Sequence, residues 1–198
     1  MPPTYDKIAG FYDRAFSPFE KRFLRSWRAE TLGYLPVGAS ILEIGAGTGA
    51  NFAFYPHCRE AVASELSAGM LVYAREKAEL VRLVQADAQL LPFPDSHFDA
   101  AFATLVFCAI PDPSVAFAEV MRVVKPGGKV VLLEHVRPPG ILGPIFDLAN
   151  VLTAALIDDH FNRRTADAAA SAGLRVLEVK SKALGIVNLI ICENPPKL

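Results

Sequence analysis

Apolar residues fall along this chain in two rhythms. Short, nearly continuous apolar runs occupy residues 39–44, 61–64, 81–85, 98–106, 129–134, 174–179 and 185–192. Bounded by glycines and polar residues, such runs read as strands, and the long one at 98–106 reads as a central strand covered on both faces. Between them the spacing turns helical. Residues 68–79 are rich in Ala, Leu, Lys and Glu, and in 114–124 Val115, Ala118, Val120 and Met121 alternate with Glu119 and Arg122. A third helical pattern, 165–172, closes on Gly173, a residue suited to the position after a helix end. Strands alternating with helices predict a parallel sheet with helices on both faces. The last two strands are joined by residues 180–184 alone. That is too short for a crossover helix, so they predict an antiparallel hairpin.

Composition narrows the class. Of 198 residues, 52% are apolar and 21% charged, which suits one globular domain. A net charge of −1 supplies no basic field for nucleic acid. Cys58, Cys108 and Cys192 match no metal-ligand spacing and no even-numbered disulfide set, so no metal and a reducing, cytoplasmic setting are expected. The opening MPPTYDKIAGFYD lacks the apolar stretch of a secretory signal, and the run at 100–110 is too short to cross a bilayer.

The strongest chemical signal is ILEIGAGTGA, residues 41–50. A strand runs into Gly45, Gly47 and Gly49, a turn expected at the carboxyl edge of an α/β sheet, where ligands bind. Absent side chains let a ligand approach the backbone, and a following helix would offer its N–H groups. Alone, the motif also fits a relaxed dinucleotide fingerprint. Three carboxylates shift the balance. Glu43, inside the strand, would repel a pyrophosphate and suits a cationic amine. Glu65 ends the second strand, 20 residues after Gly45, where a carboxylate accepts both ribose hydroxyls. Asp87 follows the third strand, placed for an adenine amino group. A ligand with an amino acid, a ribose and an adenine but no phosphate is S-adenosylmethionine.

The stretches LEIGAGTG, ASELSAGML, QADAQLLPFPDSHFDA and RVVKPGGKVVLLEH resemble the class I S-adenosylmethionine-dependent methyltransferases over nearly the whole chain. The likeness is strongest to their quinone and phospholipid branches and to methyltransferase-like thiol enzymes. The resemblance implies a Rossmann-like seven-stranded sheet of order 3-2-1-4-5-7-6, strand 7 antiparallel, under an N-terminal helical lid. It implies that Gly45, Ala46, Gly47, Gly49 and Asn51 cradle the methionine part. Glu65 would take the ribose, Leu66 and Met70 would pack on the adenine, and Asp87 and Ala88 would meet its edge. Thr104 and Leu105 would face the methyl group. The family often carries Asp where Glu65 stands. The chain is expected to divide into a lid (1–36), a cofactor core (37–135), an acceptor-pocket insertion (136–164) and a C-terminal helix with hairpin (165–198).

Tyr5 and Tyr12, in YDKIAGFYD, are spaced to share one helix face. They resemble lid tyrosines that close over the cofactor or face the acceptor; packing the lid onto the core is the alternative. Ser17, Pro18 and Glu20 predict the start of a helix running to about Thr31. Phe19, Phe23 and Trp27 form its aromatic stripe, with Lys21, Arg22, Arg25 and Arg28 mainly opposite. Residues 14–28 hold five basic side chains against one acidic, a pattern that suits either a solvated face or contact with an anionic membrane. Residues 141–157 are apolar except for Asp147, Asn150 and Thr153, as expected beside an oily acceptor or beneath a lid. His160, Arg163 and Arg164 follow; they suit either an anionic headgroup or a plain solvated turn. His135, ending the fifth strand, is the best-placed base for an amine or thiol acceptor, with Tyr5 and Tyr12 next.

The reading is a methyltransferase acting on a small apolar or lipid acceptor, foremost phosphatidylethanolamine. A quinone ring or small thiol is the alternative acceptor. A nicotinamide-dependent oxidoreductase and a silent cofactor-binding protein are the rivals of other classes.

Overall fold

A five-residue apolar strand, Ser40–Ile44, lies in the middle of the sheet and is buried along its whole length. The computed structural model describes residues 20–138, 140, 144 and 163–196. In them the chain forms strands β1 (Ser40–Ile44), β2 (Glu60–Glu65), β3 (Arg82–Gln85), β4 (Phe98–Thr104), β5 (Val124–His135), β6 (Arg175–Lys182) and β7 (Val187–Glu193). Four α-helices accompany them: α1 (Arg25–Leu32), α2 (Ala68–Arg75), α3 (Pro113–Val123) and α4 (Thr165–Ser171). The strand order is β3-β2-β1-β4-β5-β7-β6. The pairs among β1 to β5 are parallel, and β7 runs antiparallel to both β5 and β6. Sheet order and strand directions are those expected from the sequence.

Alternation along the central strands feeds two cores. Ala101 and Ala103 of β4 join Leu42, Ile44, Phe107, Phe117 and Val120 on one face. Ala100 and Phe102 join Leu32, Ile41, Val131, Leu133 and Leu189 on the other. Small residues on β4 let helices from both sides approach the sheet closely. Helix α3 starts on Asp112, whose carboxylate accepts from the Ser114 and Val115 amides, with Pro113 in the first turn. Gly128 is needed at the start of β5: a Cβ there would lie 2.8 Å from the Asp99 and Lys125 carbonyl oxygens. The hairpin between β6 and β7 turns on Ala183 and Leu184, both left-handed.

Three local expectations change. Between β1 and β2 the described chain holds a single 3₁₀ turn, Phe52–Phe54, and no α-helix. Pro56 follows almost at once, and it can neither donate to nor fit inside a helix. Helix α2 stops at Arg75 instead of reaching residue 79. The N-terminal helix begins with a wide turn, Glu20–Leu24, before α1. Its buried residues are Leu24, Arg28, Thr31 and Leu32, and Trp27 of the predicted stripe is partly buried against the second core. Phe23 is 41% exposed, and its ring lies tilted 5.8 Å from that of Trp27. Tyr5, Tyr12, Phe19, the apolar segment 141–157 apart from Pro144, and His160 lie outside the described residues, and so does the side chain of Lys21.

Candidate functional site

Parallel strands end together, so the loops after β1, β2, β3 and β4 converge on one edge of the sheet. The loop after β1 leaves the strand through Gly45, Gly47 and Gly49, all left-handed. Two of these glycines are demanded by the protein itself: a Cβ on Gly45 would strike Val106, and one on Gly49 would strike the Phe52 ring. Gly47 differs. A Cβ there would meet nothing within 4 Å, so its backbone borders open space. Next to this loop, a small cavity is lined by Ile44, Gly45, Glu65, Leu66, Asp87, Ala88, Val106 and Ile110, among others. It therefore brings Gly45, Glu65, Leu66, Asp87 and Ala88 of the predicted set to one place.

Each predicted residue has a definite setting. The Ala46 amide donates to the Ser64 carbonyl, tying the loop to β2. Glu65, buried at the end of β2, accepts from the Gly47 amide at 2.9 Å and the Ser67 amide at 2.8 Å. Ser67 in turn caps α2 by accepting from the Met70 amide, and Met70 is buried in the first turn. Asp87 accepts from the Gln89 amide, which folds the chain into a tight turn after β3. Thr104 ends β4, and Leu105 beyond it is left-handed at φ 60°, a bend a leucine seldom adopts. His135 ends β5 opposite Val187 of β7 and is half-buried. Arg163 donates to the Phe107 carbonyl, and Arg164 is exposed.

Beneath the glycine loop lies a buried polar network. The Asn51 amide nitrogen donates to Glu43 and to Thr104 Oγ1, while its oxygen accepts from Arg28 Nη1 at 2.9 Å. Arg28 Nη1 also donates to Thr104 Oγ1 at 2.7 Å, and its Nε donates to Glu20 at 3.0 Å. The Tyr55 hydroxyl donates to the second Glu43 oxygen. Arg28 is 8% exposed and Glu43 is fully buried. The sequence placed Arg28 on a solvated basic face; the structure instead buries it against the strand ends. The signal was its spacing of four from Leu24 and from Leu32, which puts all three on one helix face. Glu134 was also missed: fully buried at the end of β5, it accepts from the Val106 and Phe107 amides and so holds the loop after β4. Only long-range packing places it there.

Burial pushes the Glu43 carboxyl from its ordinary 4.5 up to about 7, against the opposing pull of Tyr55, Asn51 and Arg28. Burial, and then the neighbouring Glu43, hold the Tyr55 hydroxyl well above the usual tyrosine range. The raised Glu43 value makes stability depend on pH. The folded state binds this proton more tightly than the unfolded chain does. The contribution is therefore complete below about pH 4.5 and is lost as pH rises through about 7, a loss of about 3 kcal/mol. Denaturant unfolding of wild type and Glu43→Gln checks this. Wild-type stability relative to the variant is expected to fall across that window, and a constant difference would refute it.

A wider groove of about 1270 Å³ borders Arg28, Thr48 and Gly49 and extends to Lys77 and Arg82. The strand-end carboxylates Glu65 and Asp87 line the smaller cavity and not this groove. Among the described residues, no group of three His, Cys, Asp or Glu side chains is disposed to hold a metal. No described helix is long and apolar enough to cross a membrane.

The sheet order, with an antiparallel last strand, is that of a Rossmann-like methyltransferase domain, and the family match that follows implies S-adenosylmethionine as its cofactor. Residues 42–132 match the family model described as "Methyltransferase domain". Those residues carry the methyltransferase domain of that family. The chain is 33% identical over 138 residues to a demethylmenaquinone methyltransferase of Renibacterium salmoninarum, covering 68% of this chain and 58% of that protein. It is 36% identical over 104 residues to a phosphatidylethanolamine N-methyltransferase of Cereibacter sphaeroides, covering 50% and 51% respectively. The chain thus spans little more than half the length of these relatives. Its fold superposes with TM-score 0.77 on a Thermotoga maritima S-adenosylmethionine-dependent methyltransferase described as a possible histamine N-methyltransferase. That pair is 21% identical, with 98% of this chain and 100% of the other covered.

Proposed function

We propose that this protein transfers a methyl group from S-adenosylmethionine to a small apolar or lipid acceptor, with phosphatidylethanolamine the foremost candidate. The observation that supports the methyl-transfer reading is the glycine loop, whose open Gly47 backbone donates to Glu65 and whose Gly45 shares a cavity with Glu65 and Asp87. When bound, S-adenosylmethionine supplies an electrophilic methyl group on a sulfonium. Glu43 and Asn51 serve its amino-acid end, and Glu65 serves the ribose by exchanging its bond to the Gly47 amide for the ribose hydroxyls. Leu66 and Met70 cover the adenine face, and Asp87 with Ala88 reads its edge. Thr104 and Leu105 bound the reacting end.

Methyl transfer is a direct displacement, so the chain's task is to align the partners and keep water out. In this reading residues 1–36, with Tyr5 and Tyr12, form the lid, and residues 136–164 form the acceptor side. His135 takes the proton from an amine acceptor, with Tyr5 and Tyr12 as the other candidate bases. Tyr5, His135, His160 and Arg163 meet the acceptor, the last two through an anionic headgroup. Peripheral contact with an anionic membrane then rests on Arg22 and Arg25, both exposed, and on Lys21, with Arg28 withdrawn from the patch.

Similarity to the phosphatidylethanolamine enzyme supports the lipid acceptor. The longer match to the demethylmenaquinone enzyme favours a second reading, methylation of a quinone ring. Incubation with methyl-labelled S-adenosylmethionine tests both, with phosphatidylethanolamine vesicles and a demethylated quinone offered in parallel. Label in the phospholipid is the expected result, and label in the quinone alone transfers the reading to the ring. No label in either arm, with S-adenosylhomocysteine still bound, identifies a protein that binds the cofactor without using these acceptors.

A further inference from the structure

The network under the glycine loop joins two opposite buried charges through one neutral side chain. Asn51 gives its amide nitrogen to Glu43 and receives Arg28 on its oxygen. Thr104 Oγ1 closes the ring by accepting from both Arg28 and Asn51. An asparagine held at both ends fixes the path between the two groups: Arg28 pairs directly with Glu20 and reaches Glu43 through Asn51. Arg28 also belongs to α1, so the seating of that helix delivers the positive charge.

We propose that Arg28 is a positioning residue of the cofactor site: acting through Asn51 and Thr104, it keeps the Glu43 carboxylate charged and fixed as the negative counterpart of the cofactor's amino group. The proposal rests on the S-adenosylmethionine reading above. Among the described residues, the groups that face Glu43 are Arg28 from α1, Asn51 and Tyr55 from the loop after β1, and Glu65 from β2. Arg28 is the cation among them. Burial and Glu65 favour the protonated acid, whereas Arg28, Asn51 and Tyr55 favour the anion. Removing Arg28 therefore shifts Glu43 towards the neutral acid at neutral pH, and raising the pH restores the anion. Glu20 pairs with Arg28 from the outer side and partly neutralises it.

Calorimetric binding of S-adenosylhomocysteine, which keeps the same amino-acid end, tests this between about pH 6 and about pH 8.5. Arg28→Gln is expected to bind about fivefold more weakly than wild type near pH 7 and within about twofold near pH 8.5. Arg28→Lys, which keeps the charge, restores most of the loss. Glu20→Gln moves the profile the other way and binds more tightly than wild type near pH 6. An equal loss at every pH in Arg28→Gln overturns the proposal, because a residue that merely holds the helix in place has no such pH signature. Should circular dichroism show that Arg28→Gln does not fold, Glu20→Gln decides: tighter binding near pH 6 supports the proposal, and unchanged or weaker binding overturns it. If wild type binds no S-adenosylhomocysteine at any pH, the cofactor reading itself falls. If wild type binds and the variant profiles coincide with it, only the role of Arg28 falls.

Discussion

Gly47→Val is expected to abolish detectable binding of S-adenosylhomocysteine while leaving a folded protein. The Gly47 backbone borders open space in which a Cβ meets no protein atom within 4 Å, so the new side chain strikes no neighbour and projects into the volume assigned to the ligand. Its own cost is conformational. Gly47 has φ 54°, a left-handed backbone that costs a β-branched residue on the order of 1–3 kcal/mol. Thermal unfolding should therefore shift downward yet remain cooperative, while calorimetry shows no heat of binding. Gly45→Val, by contrast, would force its side chain into Val106 and should fail as a folding variant. The pair separates a glycine kept for the ligand from one kept for packing.

Glu65→Ala completes the test at the ribose. It removes charge-assisted hydrogen bonds worth roughly 1.5–3 kcal/mol, so affinity should fall by at least about tenfold. Part of that loss reflects the freed Gly47 and Ser67 amides, and for this reason Glu65→Gln belongs beside it. Unchanged affinity in both Gly47→Val and Glu65→Ala would show that the cofactor binds elsewhere.

His135→Gln is expected to slow methyl transfer by on the order of 10²-fold or more, the usual scale for losing a general base. Cofactor affinity should hardly change. His135 stands at the carboxyl end of β5, next to Glu134, which holds the loop after β4 through the Val106 and Phe107 amides. The half-buried ring is thus carried by a rigid strand end, the kind of support a proton acceptor needs. Single-turnover rates with the labelled cofactor measure the chemical step directly. An unchanged rate would reduce His135 to a structural residue and move the test to Tyr12→Phe.

Much of the molecule was legible from local pattern because the relevant physics is local. A strand buried on both faces must be apolar at nearly every position, so β1 and β4 announce themselves. Residues 180–184 are too few to cross over, which fixed the antiparallel hairpin in advance. The glycine loop, Glu65 and Asp87 were legible for a related reason. Parallel strands present their ends at one edge, so residues directly after β1, β2 and β3 must gather there whatever the details of packing.

Other features depended on contacts between distant parts of the chain. Periodicity drew attention to Phe19, Phe23 and Trp27, and Trp27 does pack in part on the second core, yet the buried residues of the N-terminal helix are Leu24, Arg28, Thr31 and Leu32. What the strand ends offer explains the buried arginine: Asn51 and Thr104 satisfy the Arg28 guanidinium. The missing helix between β1 and β2 follows the same logic, since Phe54 and Tyr55 pack against the second core as part of a short turn. The sequence by itself determined the strands, their probable edge chemistry and the class of cofactor, because hydrophobic period and strand-end position are properties of short segments. Tertiary structure alone decided that Glu43 lies fully buried at a carboxyl value near 7 and that Arg28 stands opposite it, because desolvation and charge pairing depend on which segments meet.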